Sequence, residues 1–378
     1  MANLLKNIKW KHYINYIGIA IATIVFGALS FAGMLPSSTI YLLEKIAISI
    51  ILAVSLSMVV GFLGELSLGH AGFMCVGAYL GGKVSCLLEP TMGKGILNLV
   101  ISLIVGGAVA AFFGIIIGLP ALRLKGDYLA IVTLAFGEIV RSVFMNTSEE
   151  SFGGSLGLAT PRYDKNTLFI IAFVLVLLCL AVIQNFIRSK HGRAITSIRD
   201  NEIAAHATGI NVTKYKLTVF TISSLFAGIA GVLYSFSNFR VQSTNFDYNY
   251  SIEILVMVVL GGMGSINGSI IAATLITYLD TTLQTVLKGN LAVLQDLFYA
   301  LILIVVVIYN NAPSLSGFRS KYNLSAAFEK LKKHDPAHRK DDEAEWNRIP
   351  TKIEMNEILS VDIQPTTSTL DPDKKEGK

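Results

Sequence analysis

Charge is scarce in this chain. Asp, Glu, Lys and Arg make up 15% of its 378 residues against 53% hydrophobic residues, and the mean hydropathy is +0.59, which excludes an ordinary soluble globule. Cysteine is scarce too. Cys75, Cys86 and Cys179 are odd in number, lie in apolar segments and show no metal-like spacing, so neither a disulfide framework nor a zinc site is indicated and they read as core residues. Strand-type alternation is missing, which speaks against a barrel. A nucleotide-binding loop is missing as well. GAYLGGKV at 77–84 comes near one, but Val84 stands where a Mg²⁺-binding Ser or Thr belongs and no strand precedes it, so it reads as a coincidence of glycines. The chain thus has no ATP-hydrolysing machinery of its own, and no cofactor is expected on it. Nor is there an excess of one charge at the C-terminus. Residues 319–378 carry 12 Lys+Arg and 12 Asp+Glu, so the net charge of +5 belongs to the apolar part and nucleic acid is not an expected partner.

What the chain has is long apolar runs. A hydrocarbon core of about 30 Å takes roughly 20 helical residues to cross, and backbone satisfaction in lipid makes such runs helices. The expected spans are 13–35, 40–60, 66–88, 96–118, 128–145, 167–187, 217–237, 251–264, 269–287 and 291–310. The fold class is therefore all-α, a polytopic membrane bundle of about ten helices. Residues 1–318 form the membrane domain and 319–378 a charged, largely disordered tail, with a short amphipathic helix near 321–333. Lys6, Lys9 and Lys11 before the first run imitate a signal peptide, but the run is long and reads as a retained helix. With the N-terminus inside, the inside connections hold eleven Lys or Arg and the outside ones five, which satisfies the positive-inside rule and puts both termini in the cytoplasm. The eighth span is short and ends in Gly261-Gly262-Met263-Gly264, so it reads either as a crossing or as a broken, re-entrant helix.

Between two spans, residues 188–216 form a basic, water-soluble insert, which the charge count places in the cytoplasm. Asp200 is an expected N-cap and Gly209 a left-handed stop for a helix over 201–208. Ala204, Ala205 and Ala207 keep its surface low, so that bulky replacements at Ala204 and Ala205 would block a docking partner. The competing reading is an amphipathic linker held to anionic lipid by Lys190, Arg193 and Arg199.

Six other features stand out. GELSLGHAGF at 64–73 places His70 at the head of a span, where it either lines a permeation path with Ser67 and Phe73 or makes a structural hydrogen bond. Gly77 and Gly81 have the spacing of close helix packing. Glu138 and Arg141, three apart on one face, form an intramembrane ion pair that is either structural or gating, whereas Glu253, Asp280 and Asp296 sit near span ends and snorkel to water. Gly264 and Ser265, within the glycine-rich 261–268, mark either unwinding beside the path or a tight turn. GGSLGL at 153–158 is either a flexible outside loop or a contact for an external partner. His334 and His338 flank Pro336, which disfavours a shared metal.

Five blocks in order, GELSLGHAGFMCVGAY at 64–79, LRLKGDYLAIVTLAFGEIVR at 122–141, GGSLGL at 153–158, GRAITSIRDNEIAAHATGINVTKYKL at 192–217 and VVLGGMGSINGS at 258–269, make residues 40–312 resemble the LivM-type permeases of ABC importers for branched-chain amino acids. The resemblance implies a type II-like importer half in a bacterial inner membrane. Its partners would be a LivH-like second permease, two cytoplasmic ABC ATPases that hold the ATP and Mg²⁺, and an extracytoplasmic substrate-binding protein. It also implies that Gly192, Arg193, Arg199, Asp200, Glu202, Ala204, Ala205 and Gly209 form the ATPase-coupling loop, where Glu202-x-Ala204-Ala205-x-x-x-Gly209 is similar to the EAA signature with one extra residue. Related permeases carry urea, short amides or other small amino acids, and a self-contained ion-coupled carrier is the rival from another class.

Overall fold

The computed structural model describes residues 14–124 and 126–286, with 300, 301, 304 and 308. The N-terminal lysines, Lys125, Lys288, Asp296, most of the expected 291–310 span and the tail with His334 and His338 lie outside the described residues. The chain divides into two units, Met1–Asn310 and Asn311–Lys378, and the architecture below is that of the first.

Helix α1 (Ile14–Phe31) is followed by α2 (Ser37–Ser57), which loosens into a π-helical turn, Met58–Leu63. Gly64, at φ +80°, ends that turn. Residues 64–69 then run without helix before α3 begins at His70 and continues to Met92. Helices α4 (Ile96–Ala121) and α5 (Asp127–Met145) follow. A short strand β1 (Leu158–Ala159) precedes α6 (Lys165–Arg188). The basic insert folds as α7 (Lys190–Asp200) and α8 (Glu202–Ala207). Then come α9 (Val212–Asn238), strand β2 (Arg240–Val241), α10 (Tyr248–Gly261) and α11 (Ile266–Val286).

Six of these helices are long and apolar enough to cross a membrane: α2 with its π-turn, α3, α4, α5, α6 and α9. Helix α11, at 21 residues, is about 31 Å long, whereas the 14 residues of α10 reach only about 21 Å. Helix α10 is therefore shorter than a hydrocarbon core of about 30 Å. Gly262 and Gly264 both have positive φ and reverse the chain tightly into α11, and a Cβ added to Gly61 would fall on the backbone nitrogen of Gly264.

Helix α2 is the core of the bundle. Its residues from Ile46 through Ser57 are all buried, while α4 and α5 turn Ile104, Phe112, Ile131 and Ile139 outward, as helices at a lipid-facing rim must. Helices α3, α4 and α9 pack at backbone distance. A Cβ on Gly77 would overlap the backbone of Gly228 in α9, and one on Gly81 would meet Val232 and the carbonyl of Ser102, so the Gly77–Gly81 spacing serves packing. GAYLGGKV lies wholly within α3, and a helix interior offers no phosphate cradle.

At one end of the bundle β1 and β2 pair antiparallel, Leu158 opposite Val241 and Ala159 opposite Arg240. GGSLGL is thus an ordered turn feeding a strand, with Gly153, Gly154 and Gly157 all at positive φ. Tyr163 packs there on Phe236 at 4.7 Å and shares a 2.8 Å hydrogen bond with Ser85. Burial pushes its phenol above the ordinary tyrosine value, a rise that the bond to Ser85 opposes. At the other end lie α7, α8, the π-turn and the 262–265 turn.

Candidate functional site

The α7–α8 end is built from caps. Ser189 ends α6 and accepts from the amide of His191 at 3.1 Å, opening α7. A Cβ on Gly192 would strike the backbone of Ile187, so this sharp corner requires glycine. Ile195 and Ile198 bury one face of α7, and Arg193 points to solvent. The expected cap at Asp200 is corrected by the structure. Asp200 is the last residue of α7, and Asn201, in extended backbone, accepts from the amide of Ala204 at 3.0 Å. Asp200 pairs instead with Arg199 at 3.0 Å. The expected stop holds: Gly209 is left-handed at φ +84°, its amide donates to His206 and that of Ile210 to Ala205, the paired bonds of a Schellman ending. Asn211 then caps α9.

The small-residue face is also corrected. Ala205 is buried, at 3% exposure, while Ile203 is 80% exposed and Ala204 and Ala207 are open to solvent. The outward surface of α8 is therefore Ile203, Ala204, His206 and Ala207, and Ala205 is a packing residue.

Lys216, which charge counting treats only as one more inside cation, ties α8 to the bundle. Its side chain is 3% exposed, and its ammonium lies 2.6 Å from Glu65 and 3.4 Å from Glu202 at the start of α8. Arg199 lies across Gly64 and donates to the carbonyl of Gly61 at 3.2 Å. Both cations thus hold the α7–α8 segment onto the π-turn and the non-helical stretch behind it.

That stretch leads inward to His70. Ser67, His70 and Phe73 are all nearly inaccessible. The His70 Nε2 is 2.9 Å from the Ser55 hydroxyl on α2, and Ser223 on α9 donates to the Ser55 carbonyl at 2.7 Å. The amide of Leu68 donates to Thr133 on α5 at 3.0 Å, and that of Ala71 to Ser251 on α10 at 3.2 Å. Backbone at this helix break inside the bundle is thereby satisfied by side chains of two other helices, α5 and α10, as membrane depth demands. Phe73 packs on Phe136 and Phe220, with centroids 4.8 and 5.5 Å away. Gly264 and Ser265 lie apart from these three, in the turn against Gly61. Glu138 and Arg141 form their pair on α5 at 2.8 Å, each 30% exposed.

A second polar region went unread in the sequence. A cavity of about 320 Å³ opens between α2, the end of α9, α10 and α11, and Lys45, Glu253, Thr277 and Asp280 face it. Thr277 is 5% exposed, and its hydroxyl oxygen has no hydrogen-bond partner. Tyr41 donates to Asn238 at 2.8 Å and separates this space from another of about 260 Å³. Facing the latter, Glu44 accepts from Ser237 at 2.5 Å. The signal available in the sequence was Glu44-Lys45 inside an otherwise apolar run, since charges persist there only with a reason.

The profile of the family described as branched-chain amino acid transport system, permease component, matches residues 38–307. The chain belongs to this permease family. It is similar to the high-affinity branched-chain amino acid transport system permease protein LivM of Salmonella typhimurium, 36% identical over 281 residues, 66% of this chain and 64% of the relative. It is equally similar to LivM of Escherichia coli K12, 36% over 280 residues, 66% and 64% of the two chains. The ribose import permease protein RbsC of Escherichia coli K12 is more distant, 25% identical over 285 residues, 71% of this chain and 84% of that one. The matched region spans 64% of the length of the two LivM relatives. No solved structure matches the permease. Membership makes the chain a multi-pass membrane transport component rather than an enzyme, and the matched stretch includes α2 through α11.

Proposed function

We propose that this chain is a membrane-spanning subunit of an ATP-driven importer of branched-chain amino acids in a bacterial inner membrane. Helix α8 faces the cytoplasm and docks on one of two ATPase subunits. A second, LivH-like permease completes the path, and an extracytoplasmic binding protein delivers leucine, isoleucine or valine to the opposite end. ATP and Mg²⁺ reside on the ATPases. The observation that carries this reading is the Lys216 junction: a partner pushing on Ile203 and Ala204 moves Glu202, hence Lys216 and Glu65, hence the break that ends at His70. Ser67, His70, Phe73, Gly264 and Ser265 flank the inner half of the path, and the π-turn and the 64–69 stretch are where it changes shape. The Glu138–Arg141 pair is structural.

Uptake of labelled leucine into cells carrying the full transporter tests this. Depleting ATP while the membrane potential is maintained abolishes uptake if the reading is right. Uptake that persists belongs to an ion-coupled carrier and sinks it.

A further inference from the structure

A third cavity, of about 500 Å³, lies at the α7–α8 end, where α6 turns into α7 and α9 begins, with Phe186, His191, Lys214, Tyr215 and Thr218 on its walls. We propose that it seats the phosphate headgroup of an anionic phospholipid of the inner leaflet, held by Lys214 and His191, with an acyl chain along the outer face of α6. The assignment takes from the importer reading only that the α7–α8 end faces the cytoplasm, and adds a lipid partner at the root of the docking segment.

Depth is the first argument. Phe186 lies in the last turn of α6 and Thr218 within the first two turns of α9, both inside the apolar spans, whereas His191, Asn211 and Lys214 belong to the basic insert. The cavity therefore straddles the boundary between hydrocarbon and water, the level of lipid headgroups and of interfacial tyrosines such as Tyr215. A soluble partner on Ile203 and Ala204 meets only the water side of this boundary, whereas a phospholipid occupies both sides. Charge is the second. No carboxylate lines this cavity, unlike the two beside Tyr41, which hold Glu44 in one and Glu253 and Asp280 in the other. Among the described residues Lys214 forms no ion pair, and the acids of this end are engaged elsewhere, Asp200 by Arg199 and both Glu65 and Glu202 by Lys216. Arg188, Lys190 and Arg193, next to His191 in the chain, are exposed, and clusters of this kind are drawn to anionic leaflets. The side-chain oxygen of Asn211 accepts the Lys214 amide, which leaves its NH₂ group as a further donor. Shape is the third. The His191 ring stands between Phe186, nearly parallel at 6.1 Å, and Tyr215, at 5.9 Å, so the imidazole is part of the wall. Val182, Leu178 and Val174 are exposed at four-residue spacing and form one ridge along α6 that ends at Phe186. A soluble phosphate would leave this apolar track empty, and a phospholipid fills cavity and track together. The volume lies within the range of ligand cavities, about 300–1,000 Å³.

The test uses the complete transporter, reconstituted in phosphatidylcholine with a trace of phosphatidylglycerol that carries a photoreactive diazirine on its acyl chain near the glycerol. Irradiation is expected to label this chain within 182–191 or 209–218, read by peptide mass spectrometry. Unlabelled phosphatidylglycerol should suppress the labelling, whereas the same amount of phosphatidylcholine, or millimolar inorganic phosphate, should not. Lys214→Glu, at an exposed position, should lower the yield about fivefold or more, the scale of one basic side chain at an anionic surface. Thr218→Trp, which fills the cavity, should do the same, and Lys214→Arg should keep the yield. No labelling at these residues, equal suppression by phosphatidylcholine, suppression by inorganic phosphate, or a Lys214→Glu protein labelled like its parent each overturns the proposal. Labelling that appears only once the ATPases are stripped away also overturns it, since an ATPase then covers the cavity. Sidedness is read separately. Thr213→Cys, exposed in the first turn of α9, in a background where Cys75, Cys86 and Cys179 are serine, should react with an impermeant maleimide in inverted membrane vesicles and not in right-side-out ones. Reaction in right-side-out vesicles overturns the orientation on which the importer reading and the lipid site both rest. Reaction confined to inverted vesicles, with failed photolabelling, removes the lipid site alone.

Discussion

Replacing Lys216 by methionine isolates the junction between α8 and the helix break. The 2.6 Å separation from Glu65 corresponds to a gross attraction of about 6 kcal/mol at an effective dielectric of about 20, most of it offset by desolvation. Methionine fills much of the same volume, so the loss is chiefly electrostatic: Glu65, with a side chain 13% exposed, keeps its charge and loses its cation. Breaking a buried pair in this way costs about 3–5 kcal/mol, and the residual hydration of Glu65 places the expectation near about 3. The arm to Glu202, one third exposed, adds about 1 kcal/mol at most. At about 2 °C per kcal/mol for a large domain, the purified protein should lose about 6 °C in a heating series read by size-exclusion chromatography. Glu65→Gln should do less harm, because Lys216 retains Glu202 at 3.4 Å. Combining Glu65→Gln with Lys216→Met should recover about half the loss, since a neutral pair leaves no stranded charge. A Lys216→Met protein as heat-stable as its parent, or a double variant as unstable as the two single losses together, refutes the reasoning.

Ala204→Trp should leave folding intact and cut ATP-driven leucine uptake roughly tenfold, while Ala205→Trp should lower the amount of folded protein by the 1–3 kcal/mol or more typical of overpacking; comparing membrane content with uptake separates the two, and the reverse order contradicts the observed orientation of α8. Asn201→Ala removes the cap of α8 and should cost about 1 kcal/mol, visible as a lower melting temperature, whereas Asp200→Ala should cost less because Asp200 caps nothing. Gly61→Leu forces the π-turn off the 262–265 turn and should abolish uptake, since backbone rather than a flexible side chain stands in the way; near-normal uptake would show that this contact is dispensable.

The apolar runs made most of the bundle legible. Helices α4, α5, α6 and α9 begin and end within a few residues of the expected spans, because length and apolarity are local properties. The start of α3 was not legible. The expected span opens at 66 and the helix at His70, because 64–69 is held by Thr133 and Lys216, far away in sequence. The α8 cap fell one residue off for a related reason: Asp200 and Asn201 are both good caps, and what decides between them is that α7 continues through Asp200, its side chain tied to Arg199. The role of Lys216 is likewise non-local, since in the sequence it is one more cation of the basic insert and its partner Glu65 is 151 residues away. The cavity escaped notice because Glu253 and Asp280 each look like span-end charges, and only their convergence with Lys45 gives them a common surface. What the sequence did disclose of the site was the basic insert itself, its Gly209 stop and the Glu138–Arg141 pair.

The orientation of α8 also bears on partner choice in a cell that holds several importers. Its face is fixed at both ends, by Asn201 on one side and Gly209 on the other, so the length between them decides which alanine looks outward. One residue more or fewer turns that face by about 100°, which would bury Ala204 and present another side chain in its place. Segments of unequal length therefore present different faces even when their alanines and glycines match, and under the proposed docking of α8 that difference is expected to separate the partners of one importer from those of another.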